Sequence, residues 1–394
     1  MVLLAHAPGA LLRSARRDAA EAGRTRAHAA IHGAPPSPFR VGNRAIVTYR
    51  NALRAYPHTY QIRCSGVPSG IEPQEEGVSC GTPDPSSTPR VLVASECDIL
   101  LRGREVSCGT VDISLDLGVS MTTGSLESAG VRLPGIDGVV TWSDIEMING
   151  DSNGCFSVCS DGSVDRIQVF SESTGRAVSL LPSVESRAPP TALIAGFPMH
   201  RFGKGVDPRE DTVRKMRALG RLREGAAVLD ICTGLGYTAA AARQAGALVT
   251  TIELDPAMQQ MCRMNPWSQG LFAGGVTQLI GDATELVETF EDGAFDRILH
   301  DPPTFAIAGD LYSKEFYGQL ARILKPQGKL YHYVGDPESK AAGKHFQGIL
   351  RRLQDAGFAG AAVDHDAHGV VAAHKRVDKP RRRRPEGRSG GKGK

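Results

Sequence analysis

No stretch of the 394-residue chain approaches the roughly 20 unbroken apolar residues that a membrane-crossing helix needs, which excludes an integral helical membrane protein. Cysteine is scarce, with eight in the whole chain, and a disulfide scaffold is excluded as well. Cys155 and Cys159 stand close together, but neither a second cysteine pair nor a histidine cluster completes a zinc site, so no metal is expected. Reduced, mostly buried thiols are the expectation instead. No internal repeat is visible, and the composition excludes collagen-like, coiled-coil and wholly disordered chains.

What remains is an ordinary globular composition, 41% apolar and 23% charged, at a length suited to two or three domains. The net charge of +3 conceals a strong asymmetry. Eight arginines against Asp18 and Glu21 give the first fifty residues +6, and ten Lys/Arg against Asp378 and Glu386 give the last twenty +8. Residues 51–374 therefore carry −11: both ends are basic and the body between them is acidic.

Residues 1–50 form an Ala/Arg-rich extension with no apolar core and small-residue cleavage site of the secretory kind. An organellar transit peptide (plastid or mitochondrial) and a plain disordered extension both fit, which leaves the compartment cytoplasmic or organellar. Residues 51–90 read as a linker or insertion, with Pro, Gly and Ser dense from 66 onward. From Val91 to about Pro182 short apolar runs are separated by turn signals: VLVA (91–94), ILL (99–101), VDISLDLGV (111–119), GVVTW (138–142), CFSV (155–158) and RIQVF (166–170). Alternation in the third run, with Asp137-Gly138 and Asp161-Gly162, predicts strands joined by tight turns. We expect a small β-rich accessory domain over 91–188, leaving at Pro189-Pro190, then an α/β domain over 189–375 and a basic disordered tail over 376–394.

Within 189–375, strands are predicted at 226–232, 248–255, 276–282, 295–301 and 329–335. Helices are predicted at 237–246, after Asp255 through Asn265, at 314–324 and at 345–356. Strand–helix alternation at this spacing predicts a Rossmann-like, doubly wound, mostly parallel sheet. The strongest motif runs Asp230-Ile-Cys-Thr-Gly234-Leu-Gly236-Tyr-Thr-Ala239: an apolar strand enters a Gly-x-Gly turn and an Ala-rich helix follows. Glu253 ends the next strand, where a carboxylate can accept ribose hydroxyls. Asp282 and Ala283 follow the third strand and Asp301-Pro302-Pro303-Thr304-Phe305 the fourth, so a polar rim is expected along one sheet edge. The plain structural alternative makes Glu253 and Asp282 turn and cap residues. Met199-His200-Arg201 could cover the site as a lid; Asp207 and Asp211 read as helix-start residues, Cys232 and His332 as packing.

Residues 226–335 resemble class I S-adenosylmethionine-dependent methyltransferases. The likeness extends over about 91–375 to a family of predicted methyltransferases known mainly from archaea and bacteria. It is carried by PTALIAGFPMHR (190–201), GVDPREDTVRK (205–215), VLDICTGLGYTA (228–239), NPWSQGLF (265–272) and HDPPTFAIAGDLYSKEFY (300–317), with ILLRGREV (99–106) and SLDLGVS (114–120) before them. The resemblance implies S-adenosylmethionine as cofactor. Asp230, Gly234 and Gly236 would hold its methionine part, Glu253 its ribose, and Asp282 with Ala283 would border its adenine; Thr233 and Asp301 complete the expected set.

Asp301-Pro-Pro-Thr-Phe305 is similar to the D/N-P-P-Y/F signature of methyltransferases that act on amino groups. In that signature the acid accepts from the target nitrogen and the aromatic ring stacks on a planar acceptor. Asp301, Pro302 and Phe305 are thus the expected catalytic set, and His300 could orient the acid or act as a base. The expected acceptor is a small molecule or an amine. Asp301 to Tyr317 and LKPQGKL (324–330) are also similar to spermidine and spermine synthases, which use decarboxylated S-adenosylmethionine. Against these, the chain has CTGLG where they carry a GGGDGG-type loop. A third alternative is an RNA base methyltransferase, since D-P-P-T-F also occurs there, and the basic tail could contact RNA weakly.

Overall fold

The computed structural model describes residues 88–185, 187–201, 206–340 and 342–374. The expectations for the basic extension, most of the 51–90 segment and the basic tail lie outside these residues. In chain order the first part runs β1 (Val91–Val93), α1 (Ala94–Glu105), β2 (Thr110–Ile113), β3 (Thr122–Leu126), β4 (Gly130–Arg132), β5 (Val140–Thr141), α2 (Trp142–Asn149), β6 (Cys155–Val158), β7 (Val164–Arg166), β8 (Gln168–Ser171), β9 (Arg176–Leu181), β10 (Thr191–Ile194) and β11 (Phe197–Pro198). Then follow α3 (Pro208–Leu219), β12 (Ala227–Ile231), α4 (Tyr237–Gln244), β13 (Leu248–Glu253), α5 (Pro256–Met264), β14 (Val276–Ile280), α6 (Ala283–Leu286), β15 (Phe295–His300), α7 (Lys314–Ile323), β16 (Leu324–Tyr333), α8 (Ala342–Asp355), β17 (Phe358–Asp364) and β18 (Gly369–His374).

The second part builds one seven-stranded sheet in the order β14-β13-β12-β15-β16-β18-β17. Its first five strands pair in parallel, and only β18 and β17 run antiparallel to their neighbours. This is the expected doubly wound, mostly parallel sheet. Strand β12 is an interior strand of this sheet, with Val228 to Ile231 buried, and its apolar Val228, Leu229 and Ile231 suit a strand covered on both faces. One face packs Leu229 and Ile231 against Phe316, Tyr317 and Leu320 of α7 and Phe346, Ile349 and Leu353 of α8. The other packs Val228 and Val249 against Tyr237, Ala239 and Ala242 of α4 and Met258 and Met261 of α5. Chain order reverses between β12 and β15, which opens a crevice at their carboxyl ends.

The β-rich part holds three antiparallel sheets: β1-β6-β7, β2-β3-β4-β5 and β8-β9-β10-β11. Two of its predicted strands are corrected. ILL (99–101) lies in helix α1, where Cys97, Leu100 and Gly103 repeat at helical spacing on the buried face. Three apolar residues cannot separate the two periods; packing against Trp142, Ile145 and Ile148 decides. The alternation of 111–119 ends at Ile113, because Ser114 and Asp116 gather Gly118 and Ser120 into a turn in which Leu117 adopts φ 57° and Gly118 φ 91°. The thiols of Cys97, Cys155 and Cys262 are free and buried and that of Cys108 free and exposed, whereas Cys159 is disulfide-bonded, against the expectation of reduced thiols. Among the described residues no helix is long and apolar enough to cross a membrane.

The β-rich part runs past the Pro189-Pro190 boundary and contacts the helices of the α/β part. Strand β9, before Pro189-Pro190, pairs antiparallel with β10 beyond it. Tyr237 donates its hydroxyl to Pro190 O at 2.8 Å, and Trp267 Nε1 donates to Leu117 O at 3.1 Å. Asp255, the N-cap of α5, accepts from Ala257 N at 2.9 Å, Ser171 Oγ at 2.8 Å and Ser173 Oγ at 3.2 Å on Oδ1, and from Thr174 Oγ1 at 3.1 Å on Oδ2. One carboxylate thus caps a helix and anchors the β8–β9 turn. Asp255→Ala should lower unfolding stability by about 1–2 kcal/mol, read from denaturant midpoints. A loss of only a few tenths would show that the turn docks without this carboxylate.

Candidate active site at the carboxyl edge of the sheet

The first loop begins with a sharp bend after β12. Cys232 takes φ 66°, a left-handed conformation that costs a non-glycine residue, and both its N–H and that of Thr233 donate to Ile252 O. Gly234 (φ 54°) and Gly236 (φ 72°) complete the turn, and Gly236 caps α4. A Cβ at Gly236 would lie 2.2 Å from Leu271 Cδ1, so only glycine fits. Beside the loop, Asp230 is buried. Its Oδ1 accepts from Thr238 Oγ1 at 2.8 Å, whereas its Oδ2 and the Oγ1 of Thr233 are buried without a hydrogen-bond partner among the described residues. Such orphaned oxygens beside a glycine turn suit a polar ligand group that the protein itself does not supply. Glu253 reaches back across the turn, taking Gly234 N on Oε2 at 2.8 Å and Asp255 N on Oε1 at 3.0 Å.

Asp282 is the N-cap of α6, accepting from Thr284 N at 2.8 Å and Thr284 Oγ1 at 2.7 Å with its carboxylate exposed, and Ala283 behind it is buried. A cleft lined by Thr233, Gly234, Glu253, Gln278, Leu279 and Ile280 runs between these strand ends. Met199 lies over the first loop, its Sδ 2.9 Å from where a Gly234 side chain would begin. His200 stacks on Tyr237 at 5.2 Å between ring centres, and burial, aided by Lys215, pushes its pKa down to about 3.

Across the switch point stands Asp301, whose N–H donates to Ile231 O at 3.1 Å. Its Oδ2 accepts from Lys215 Nζ at 2.5 Å, and the same ammonium lies 2.6 Å from Asp211 Oδ2. Arg201 Nη1, 3.5 Å from Asp211 Oδ1, extends the chain of charges. Burial alone would lower the Lys215 pKa, but Asp301 and Asp211 overcome it and hold the group above the ordinary lysine range. Burial likewise raises the Asp301 carboxyl, with Lys215 opposing.

Lys215 and Asp211 are the site residues the sequence reading missed. A signal existed: α3 buries Asp211, Thr212, Lys215, Ala218 and Leu219, so an acid and a base four apart share the face that should be apolar. Asp207 is the helix start expected of it, accepting from Glu210 N at 2.7 Å.

Below Asp301 lies an aromatic floor. His300 is fully buried, stacked on His332 at 4.4 Å and tilted against Phe316 at 5.3 Å, with both ring nitrogens unpartnered among the described residues. Burial pushes its pKa well below the ordinary range, so the ring is neutral. His332 in turn meets Tyr317 Oη at 2.9 Å. Pro302 is buried, and Tyr312 donates its hydroxyl to Pro303 O at 2.8 Å, fixing the loop. Phe305 is half exposed, its ring edge-on to Tyr312 at 5.5 Å and His345 at 6.0 Å.

Residues 228–328 match a family model described as a methyltransferase domain. Over 241 residues the chain is 41% identical to the uncharacterized protein MJ1233 of Methanocaldococcus jannaschii, covering 61% of this chain and 80% of that one. The chain belongs to the family of that archaeal protein and carries a class I methyltransferase domain. It is also 29% identical over 141 residues to polyamine aminopropyltransferase 2 of Streptomyces coelicolor, a stretch covering 34% of this chain and a quarter (25%) of that protein's length. A crystal structure of spermidine synthase in complex with the transition-state analogue AdoDATO resembles it with a TM-score of 0.43 at 17% identity, over 54% of this chain and 76% of that one.

Burial pushes the Asp230 carboxyl up to about 8, with Thr238 and Lys215 opposing. In the unfolded chain it titrates near 3.9. Between about pH 4 and pH 8 the folded state therefore holds a proton that the unfolded state has released, and this group's contribution to stability falls as pH rises. Asp230→Asn removes that dependence. The melting temperature of the variant, compared with the parent in calorimetric scans without ligand, should gain more at pH 8 than at pH 5. Equal differences at the two pH values would overturn this assignment.

Proposed function

We propose that the chain transfers a methyl group from S-adenosylmethionine to a nitrogen atom of its acceptor. The observation that carries the reading is the pairing, on one crevice, of two dissimilar half-sites. One is a glycine turn flanked by the orphaned oxygens of Asp230 and Thr233. The other is the Asp301-Pro302-Pro303-Thr304-Phe305 corner. A bound S-adenosylmethionine supplies an electrophilic methyl group on a sulfonium centre.

The residues of the chain do the rest. Asp230 Oδ2 and Thr233 Oγ1 bind the methionine end, and Gly234 and Gly236 let it approach the backbone. Glu253, already turned toward the loop, accepts the ribose hydroxyls, while Asp282 and Ala283 border the base. On the acceptor side, Lys215 holds Asp301 by Oδ2, leaving Oδ1 without a protein partner among the described residues. Oδ1 accepts the N–H of the acceptor, aims its lone pair and takes the proton the nitrogen gives up. Phe305 offers its exposed ring to a planar acceptor, and Pro302 shapes the slot. His300, neutral and enclosed, supports the strand end beneath Asp301.

The stretch similar to a polyamine aminopropyltransferase favours a second reading, aminopropyl transfer from the decarboxylated cofactor. Calorimetric titration of the full chain separates the two. S-adenosylmethionine should bind more tightly than its decarboxylated form, and Asp230→Ala and Glu253→Ala should each weaken binding by about tenfold or more. Tighter binding of the decarboxylated form would replace methyl with aminopropyl transfer, and binding of neither would remove the cofactor assignment.

A further inference from the structure

The Asp301 carboxylate already holds an ammonium. Lys215 Nζ lies 2.5 Å from its Oδ2, and the lysine side chain is only 5% exposed. Asp211, 1% exposed, grips the same nitrogen at 2.6 Å from the other side, and the Tyr333 ring centre lies 5.0 Å from it. An ammonium has three N–H donors, and here two carboxylates and an aromatic face surround them. The lysine cannot swing aside without leaving the Asp301 carboxylate without its counter-ion and the buried Asp211 with only the longer Arg201 contact at 3.5 Å, a cost above that of losing one surface contact. Counted as a group, Arg201, Asp211, Lys215 and Asp301 hold two charges of each sign and are neutral.

From this geometry we propose that Lys215 sets the acceptor class: the nitrogen that reaches Asp301 arrives uncharged, and alkylammonium ions are excluded. The inference rests on the methyl-transfer reading above and narrows its acceptor. A cationic amine gains a counter-ion only from a carboxylate with charge to spare, and Asp301 has none to spare while Lys215 is in place. Repulsion from the lysine at short range adds to the exclusion, and it is strong because both groups are screened from water. A neutral N–H, as in an aromatic or conjugated amine or an amide, needs only the acceptor oxygen Oδ1 and suffers neither penalty. The half-exposed Phe305 ring suits the same planar class.

Putrescine, a small dication at neutral pH, is the probe. The full chain saturated with S-adenosylhomocysteine is titrated with it in a calorimeter, as parent, Lys215→Gln, Lys215→Arg and the double variant Asp211→Asn/Lys215→Gln. The double variant removes one acid with the base, so the fold keeps one fewer uncompensated charge should Lys215→Gln alone fail to fold. No saturable putrescine binding is expected for the parent or Lys215→Arg at millimolar concentration, with a gain of at least about tenfold in the variants lacking the cation. Micromolar putrescine binding by the parent would overturn the proposal, as would unchanged affinity in a folded variant without the cation. Failure of the parent to bind S-adenosylhomocysteine is a separate outcome, counting against the methyl-transfer reading itself.

Discussion

A single buried ammonium ties the candidate site together. Lys215 belongs to α3, Asp301 to the loop after β15, and the two are joined through a group almost closed to water. Transferring a lysine and two carboxylates from water to such a place is costly, and pairing recovers that cost only when the geometry is held closely. The surroundings meet that demand. Asp207 and Pro208 start α3 at a fixed residue, Gly220 with φ 89° ends it, and Ala218 and Leu219 pack against Leu299 and Tyr331 of the sheet. Helix and strand are thereby registered so that the charges meet, and the pairing makes the placement of Asp301 a property of the whole sheet edge rather than of a flexible loop.

Much of this was legible in the amino-acid sequence because the α/β part obeys local rules. Val228, Leu229 and Ile231 supply the apolar residues that an interior parallel strand requires, with Asp230 the one polar break, and Asp207-Pro208, Asp255-Pro256 and Ser313 stand where helices begin. The β-rich part was read less well. In its helices α1 and α2 the apolar residues, such as Leu100 and Ile145, are set by contacts with each other rather than by a long periodic pattern. The site shows the same divide. The positions of Asp230, Glu253 and Asp301 at the strand ends could be placed from spacing alone. Lys215 could not, since its partner Asp301 lies 86 residues away and only folding makes them neighbours.

The β-rich part also bears on the site through packing. Val178, Leu180 and Ala192 of β9 and β10 share one core with Met258, Met261 and Cys262 of α5, and thus with the helix that follows Glu253. The same antiparallel sheet ends in β11, from which the chain passes directly to Met199 over the glycine turn. His200, fixed by Thr191 Oγ1 at 3.0 Å and by stacking on Tyr237, holds that passage in place. The strap over the first loop is therefore anchored at both ends by packing, and movement there would have to break the β9–β10 pairing or the stack.

Charge divides the crevice into two unlike halves. On the side of the glycine turn, burial raises Asp230 and Glu253 together, and no cation stands close enough to form an ion pair with either among the described residues. A ligand bringing positive charge to that half supplies the counter-ion the fold withholds, and its binding draws a proton from Asp230. Across the switch point, Lys215 and Arg201 have already balanced Asp211 and Asp301. The proposed cofactor, cationic at its sulfonium and amino group, belongs by charge in the first half, and an uncharged acceptor nitrogen in the second. On the proposed reading, one sheet edge sorts two partners by charge before any shape complementarity is considered, with Lys215 and Arg201 placed on one side of β12 and no such ion-pairing cation on the other among the described residues.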